Sequence, residues 1–193
     1  MTVVSCFVKL NGSGFMLASL SSWLDKHMKK KQIILLIAAY IAIVAVMGLL
    51  LIPAILNHKA GMNIFDLKAM GYSLNYANSF IAAIGAKGRD VYLFAQLPLD
   101  MIFPIVYGLL YLVLANKVLK KMSITMFASI MVMCLSDYAE NISIYMMLLS
   151  QKLSASLVAA ASVFTVTKTV FYCLVLLSII LPAVIGIIQK KTG

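Results

Sequence analysis

Residues 33–56 read IILLIAAYIAIVAVMGLLLIPAIL and contain no charged residue. A helix needs about 20 apolar residues to cross a bilayer core about 30 Å thick. This run meets that requirement by itself, so it predicts a transmembrane helix. Further apolar runs of sufficient length follow at about 91–115, 123–149 and 156–188.

The composition agrees with a chain that has lipid rather than water as its main solvent. Hydrophobic residues make up 63% of the chain and charged residues only 11%, whereas a soluble domain carries about 25% charged residues. The sequence therefore predicts an all-α fold: an integral membrane four-helix bundle formed by residues 33–189. It is preceded by a cytoplasmic N-terminal segment, residues 1–32, for which an amphipathic helix is one alternative.

The net charge of +10 comes mainly from short basic clusters that flank the apolar runs: Lys29 to Lys31; Lys117, Lys120 and Lys121; Lys190 and Lys191. Cytoplasmic loops of membrane proteins are enriched in Lys and Arg. The clusters therefore predict a multi-pass protein of the cell membrane (the bacterial inner membrane) with both termini and the middle loop in the cytoplasm. They also suit contact with anionic membrane lipids, and no nucleic-acid partner is predicted.

The segment 57–90 between the first two runs is then predicted to lie outside. It reads as two short helices, the first capped by Asn63 and the second capped by Ser73 and stopped by Gly85. Two placements stay open, on the membrane surface or over the mouth of the bundle. For residues 1–27, a dispensable extension and an amphipathic anchor are both open.

Charged residues inside the apolar runs are the strongest functional signal. Asp100, Asp137, Glu140 and Lys168 all fall within predicted spans. A charge at the bilayer centre costs several kcal/mol unless it is paired or hydrated, so such residues are functional candidates by default. The alternative is a purely structural ion pair that fixes the register of the helices.

Helical spacing groups these residues into polar stripes on three helices. The stripes are Gln96, Asp100, Tyr107 and Tyr111; Asp137, Glu140, Asn141 and Tyr145; and Thr165, Lys168 and Tyr172. Because lipid would penalise each stripe separately, we expect the three to face one another. Pro104 adds a second signal, since it deprives the carbonyl group of Asp100 of its helical donor.

A rise of about 1.5 Å per residue predicts two polar layers inside the bundle. The outer layer contains Asp100, Glu140 and Asn141, and the deeper layer is a supporting ion pair between Asp137 and Lys168. The predicted ligand-binding residues are Asp100, Glu140, Asn141, Gln96, Tyr107 and Tyr145. No catalytic residue is assigned.

Several site classes are excluded or disfavoured. Both histidines, His27 and His58, lie outside the spans, which excludes a haem held by two histidines within the bundle. The cysteines have no CxxC spacing, so a redox motif is absent. The sequence predicts no cofactor and no metal site.

Short motifs occur in order along residues 65–175: Gly71-Tyr72-Ser73, Gly88-Arg89, Gln96-Leu97-Pro98-Leu99-Asp100, Phe103-Pro104 with Tyr107, Asp137 with Glu140-Asn141, and Phe164-Thr165 with Lys168. In these motifs the chain resembles a group of small bacterial four-span membrane proteins, a resemblance that implies no function. The four-span plan and the residues around Gln96 to Tyr107 are also similar to the EXPERA superfamily of sterol isomerases and the sigma-two receptor. That likeness implies a sterol or amine site in an acid-lined membrane cavity. The chain departs from the superfamily by having no His and no Trp in any span.

These observations predict an acidic intramembrane cavity that binds a small amphipathic or cationic ligand or a lipid. Two alternatives stay open: a structural or assembly subunit whose polar core only fixes helix register, and a lipid-modifying enzyme that uses a carboxylate pair. The expected partners are membrane lipids and a small-molecule or lipid ligand. The sequence decides neither the oligomeric state nor whether the protein is an enzyme.

Overall fold

The computed structural model describes residues 3–56, 61–119 and 122–192, and within them every regular element is helical. The fold class is therefore all-α, as predicted. The α-helices are α1 (Val3–His27), α2 (Lys30–Val46), α3 (Ile52–Leu56), α4 (Leu74–Val91), α5 (Leu97–Leu119), α6 (Ile124–Leu149) and α7 (Ala155–Thr192).

Single π-helical turns join some of these helices into longer rods. Met47–Leu51 links α2 to α3, and Tyr92–Gln96 links α4 to α5. Each turn ends two residues before a proline, Pro53 or Pro98. Proline has no N–H group and its ring collides with the carbonyl group four residues earlier. The wider turn, which contains one extra residue, lies where this conflict arises.

Three of the resulting rods, Lys30–Leu56, Leu74–Leu119 and Ala155–Gly186, are long and apolar enough to cross a membrane. They indicate a membrane protein. The helix α6 has 26 residues, but the acids Asp137 and Glu140 and the neighbouring Asn141 lie in its second half and lower its hydropathy. The fourth span therefore stays a prediction.

The outer segment, residues 57–90, takes its name from the predicted topology, and its described part, 61–90, contains one 3₁₀ turn, Phe65–Leu67, followed by α4. Ser73 caps α4 as predicted, because its hydroxyl accepts a hydrogen bond from the N–H group of Tyr76 at 3.2 Å. Gly85 interrupts α4 with a φ of 63°, a conformation that favours glycine. The predicted cap at Asn63 is wrong, since Ile64 precedes the turn and makes no side-chain cap.

The N-terminal helix α1 packs against the predicted cytoplasmic end of the bundle. Leu17, Leu24 and Met28 are buried in one apolar cluster with Val113 and Met122. Residues 17–28 are therefore part of the packed structure. This contact gives the segment a defined partner, whereas sequence reasoning left its role open.

A short polar contact accompanies this packing. Lys117 Nζ donates to Asp25 Oδ1 at 2.6 Å, and Asn116 Nδ2 donates to the same oxygen at 3.2 Å. The hydrogen bond from Lys117 lowers the pKa of Asp25. Lys117, which belongs to one of the predicted cytoplasmic clusters, therefore also holds α1 in place.

Helix α6 packs against both α5 and α7, and α5 also contacts α2. Two apolar clusters lie at different heights in this arrangement. The outer cluster includes Ile55, Phe65, Phe80, Tyr92, Ile144 and Met147, and the inner cluster includes Tyr107, Tyr111, Ile130, Met133 and Val175. The buried acids of α5 and α6 lie between the two clusters in sequence on both helices, and this position defines the candidate site.

Candidate functional site in the polar layer

A layer of buried polar side chains separates the outer and inner apolar clusters. Its members on α5, α6 and α7 are each at most 3% exposed: Asp100, Asp137, Glu140, Asn141 and Thr165. Buried polar groups are normally hydrogen-bonded. The three predicted stripes thus supply one shared layer.

Lys168 is the cation of this layer and contacts two carboxylates. Its Nζ lies 3.0 Å from Asp137 Oδ1 and also forms a salt bridge with Glu140 Oε2. The predicted pair with Asp137 is in contact, but the expected separation into two layers is wrong. The ammonium group joins both acids because Asp137 and Glu140 are three residues apart and neighbours on one helical face.

Hydroxyl groups complete the surroundings of these two acids. Tyr107 Oη donates to Asp137 Oδ2 at 2.8 Å. Thr165 Oγ1 donates to Glu140 Oε1 at 2.6 Å. Hydrogen bonds to a charged acceptor are stronger than those between neutral groups. These hydrogen bonds and the contact with Lys168 both favour the charged form of Asp137 and Glu140.

Asn141 connects α6 to α5 through the backbone carbonyl group that Pro104 leaves without a helical donor. Its Nδ2 donates to the backbone oxygen of Asp100 at 3.2 Å, the carbonyl group that lacks a helical donor because Pro104 has no N–H group. The same nitrogen lies 3.5 Å from Asp137 Oδ1. The proline and the amide side chain are therefore parts of one contact between the two helices.

The Asp100 carboxyl group faces a residue that sequence reasoning did not include. Asp66, in the 3₁₀ turn, is close enough to Asp100 for the two carboxyl groups to repel each other electrostatically. Tyr92 Oη donates to Asp66 Oδ2 at 2.5 Å and holds it there. The sequence contained a signal for Asp66, because it is the one acid in an otherwise apolar run, Ile64 to Leu67. Helical periodicity, however, does not predict that a loop folds over the bundle.

The outer segment is fastened to α7 beside this acid pair. The backbone N–H group of Tyr72 donates to Ser162 Oγ at 2.8 Å. At Gly71, whose φ is +81°, an added Cβ would lie 2.6 Å from the same oxygen. Burial raises the pKa of the Tyr72 hydroxyl, which stays protonated. These contacts favour the placement over the mouth of the bundle.

The charge of the layer is unbalanced. Four of the six acids in the chain act electrostatically on one lysine: Asp137 and Glu140 contact Lys168, whereas Asp66 and Asp100 act on it from a greater distance. Full ionisation would give four negative charges against one positive charge. Neighbouring carboxylates in a low dielectric cannot all keep their charge. The layer must therefore hold protons or another cation.

The remaining predicted site residues differ in their placement. Gln96 is fully buried, and neither atom of its amide group has a hydrogen-bond partner. Tyr145 is 49% exposed and lies outside the acidic layer. Because Tyr145 follows Asp137 by eight residues, its side chain points about 80° further round the helix than that of Asp137. The spacing that placed both residues in one stripe therefore did not place them in one site.

Two of the cavities that the described residues line open on the surface of the bundle. One, of about 280 Å³, lies between α5 and α6 and is lined by Leu93, Leu97, Pro98, Met101, Asn141, Ile142 and Tyr145. The other, of about 340 Å³, lies near Ser123 and Pro182. Neither is lined by Asp100, Glu140 or Lys168. Within the described part of the chain, no group of three His, Cys, Asp or Glu side chains is arranged to hold a metal ion.

No protein-family model matches the chain, and no curated protein or solved structure shows significant similarity to it. The resemblances to the bacterial four-span group and to the EXPERA superfamily stay predictions.

Proposed function

We propose that the chain is a four-span protein of the bacterial inner membrane with both termini in the cytoplasm. Three rods are apolar enough to span, and α6 packs between two of the helices that belong to them. The polar residues of α6 that lower its hydropathy are buried, whereas Leu135, Ile142 and Leu149 are exposed. An apolar outer face with a polar inner face suits a helix that has lipid on one side and the bundle on the other.

We propose further that the acidic layer binds a small cationic, amphipathic ligand or a lipid of that chemistry. The observation that carries this proposal is the excess of buried acid: Lys168 contacts two carboxylates, Asp137 and Glu140, and the buried carboxyl group of Asp100 adds a third acid to the same layer. A structural ion pair needs equal charges, and this layer has an excess of acid. A bound ammonium group would supply one of the missing positive charges and so reduce the number of carboxyl groups that must be protonated.

The place for such a group is the Asp66–Asp100 pair. Asp137 and Glu140 already contact Lys168 and accept hydroxyl hydrogen bonds. By contrast, Asp66 Oδ1 and Asp100 Oδ2 are buried oxygens without a hydrogen-bond partner. Buried acceptors of this kind cost free energy until a donor arrives. An ammonium group provides donors for both oxygens.

The test compares three probes of equal chain length: octylamine, octanol and octanoate. The purified protein in neutral detergent is heated with each probe near neutral pH. Octylamine is expected to raise the melting temperature, octanol to raise it less and octanoate to leave it unchanged. Asp100→Asn and Glu140→Gln are expected to weaken the response to octylamine. Asp90→Asn, which changes an exposed acid outside the layer, is the matched control.

The proposal fails if the three probes act alike, or if the response to octylamine survives in Asp100→Asn and Glu140→Gln. A second candidate function is then favoured, namely a structural or assembly subunit. The observation behind it is that Lys168 is fully engaged by Asp137 and Glu140. That candidate predicts a co-purifying membrane partner and no effect of amines.

A further inference from the structure

The second half of α1, residues 14–27, exposes large apolar side chains beside the first predicted span. One side of this helix is buried against the bundle through Leu17 and Leu24. Elsewhere on the helix Phe15 is 79% exposed, and Met16 and Trp23 are each 50% exposed. Phe and Trp carry large apolar areas. Three such side chains on four turns of helix suit an apolar neighbour better than water.

The connection between α1 and α2 fixes the height of this surface. Helix α1 ends at His27 and α2 begins at Lys30, which is the first residue of a rod that is apolar enough to span. The apolar cluster that holds α1 also contacts Ile33 and Leu36, from the first two turns of α2. When α2 crosses the membrane, α1 therefore lies where head groups meet acyl chains, the depth at which Trp is enriched in membrane proteins.

The charges on the same surface select the kind of lipid. Asp25, the one acid within residues 14–31, forms a salt bridge with Lys117 of α5. The exposed surface therefore has an excess of positive charge. Each basic residue near a membrane surface favours anionic over neutral lipid about fivefold. Four lysines with exposed side chains stand at the end of α1 and the start of α2: Lys26, Lys29, Lys30 and Lys31.

From these observations, we infer that the second half of α1 is a docking surface for anionic phospholipids of the adjacent membrane leaflet. Trp23 and its apolar neighbours enter the boundary between head groups and acyl chains, and the lysines contact phosphate groups. Asp25 is two residues from Trp23 and about 200° round the helix, so its salt bridge leaves Trp23 on the other side. The inference needs α2 to span the membrane, but it does not depend on an amine ligand in the acidic layer.

The test uses the fluorescence of Trp23, which is the only tryptophan in the chain and so reports on this surface alone. The full chain is reconstituted in bilayers of equal amounts of phosphatidylglycerol and phosphatidylcholine, with bromine on the acyl chains of one lipid or the other. Bromine quenches tryptophan only at close contact. Brominated phosphatidylglycerol is expected to quench Trp23 more strongly, with a preference of about fivefold that decreases as salt screens the charges.

Two double variants test the role of charge. Lys26→Gln with Lys29→Gln removes two charges from the surface and is expected to reduce the preference for phosphatidylglycerol by about twofold or more. Lys87→Gln with Lys152→Gln removes two exposed charges elsewhere and is expected to change nothing. The lysines within α2 stay in place because basic residues beside a span help to set its orientation. Quenching in the unmodified protein tests the inference even if a variant does not fold.

Equal quenching by the two brominated lipids would overturn the inference, because Trp23 would then contact lipid without selecting anionic head groups. Quenching by aqueous acrylamide and by neither lipid would place the surface in water and would also overturn it. Quenching by none of the three reagents would overturn it too, since protein, such as a second copy of the chain, would then cover Trp23. None of these results bears on the response of the acidic layer to octylamine.

Discussion

Replacing Lys168 by methionine removes the one cation from a layer of buried acids. Asp137 and Glu140 are 2% and 0% exposed, so water cannot take over the role of the ammonium group. Removing one partner of a buried ion pair costs about 3–5 kcal/mol, because the other charge is left uncompensated. For a chain of this length each kcal/mol lowers the melting temperature by about 2–4 °C, so the expected decrease is about 6–20 °C.

Cysteine reactivity provides the assay. Cys134 is buried and Cys173 is exposed. With Cys6 and Cys173 replaced by serine, a thiol-reactive fluorophore labels Cys134 only as the bundle opens on heating. Lys152→Met, at an exposed position, is the control and should change the melting temperature by less than about 2 °C, as surface substitutions do.

Neutralising the stranded acids should restore most of the lost stability. Lys168→Met combined with Asp137→Asn and Glu140→Gln leaves no charge in this part of the layer, and neutral replacements of buried ion pairs are often well tolerated. A decrease for Lys168→Met no larger than that of Lys152→Met would refute the reasoning. So would a combined variant that is less stable than Lys168→Met alone.

Two further predictions concern backbone contacts. Asn141→Leu should lower the free energy of unfolding by about 1–3 kcal/mol, because the buried carbonyl group of Asp100 loses its donor. Since alanine at position 104 returns an N–H group, Pro104→Ala should destabilise the protein less in the Asn141→Leu background than alone. Equal losses of stability in chemical denaturation would contradict this. Gly71→Ala should lower the melting temperature more than Gly61→Ala. Both glycines have positive φ, but of the two only Gly71 would have a Cβ that collides with a side chain. Equal decreases in melting temperature would exclude the tight contact between the outer segment and α7.

Sequence periodicity predicted those features that depend on positions along a single helix. The helices, the cap at Ser73 and the interruption at Gly85 follow from local rules of this kind. The contact between Asp137 and Lys168 could also be anticipated, because two isolated charges inside apolar helices have few alternatives to each other.

Features that depend on how segments meet were not predictable in the same way. Asp66 joins the acidic layer because its loop folds back over the bundle, and no helical spacing encodes that. Lys168 reaches both Asp137 and Glu140 because its long side chain covers more than one residue height. Tyr145 lies outside the layer, since a stripe of eight residues turns away from its starting face.

If the acid-rich layer around Lys168 binds an organic cation, radiolabelled octylamine must bind to the purified protein at equilibrium. Saturable binding of one amine per chain is expected. It should be retained in Asp90→Asn and lost when Asp66→Asn and Asp100→Asn are combined. Absence of saturable binding, or unchanged binding in the combined variant, would contradict it.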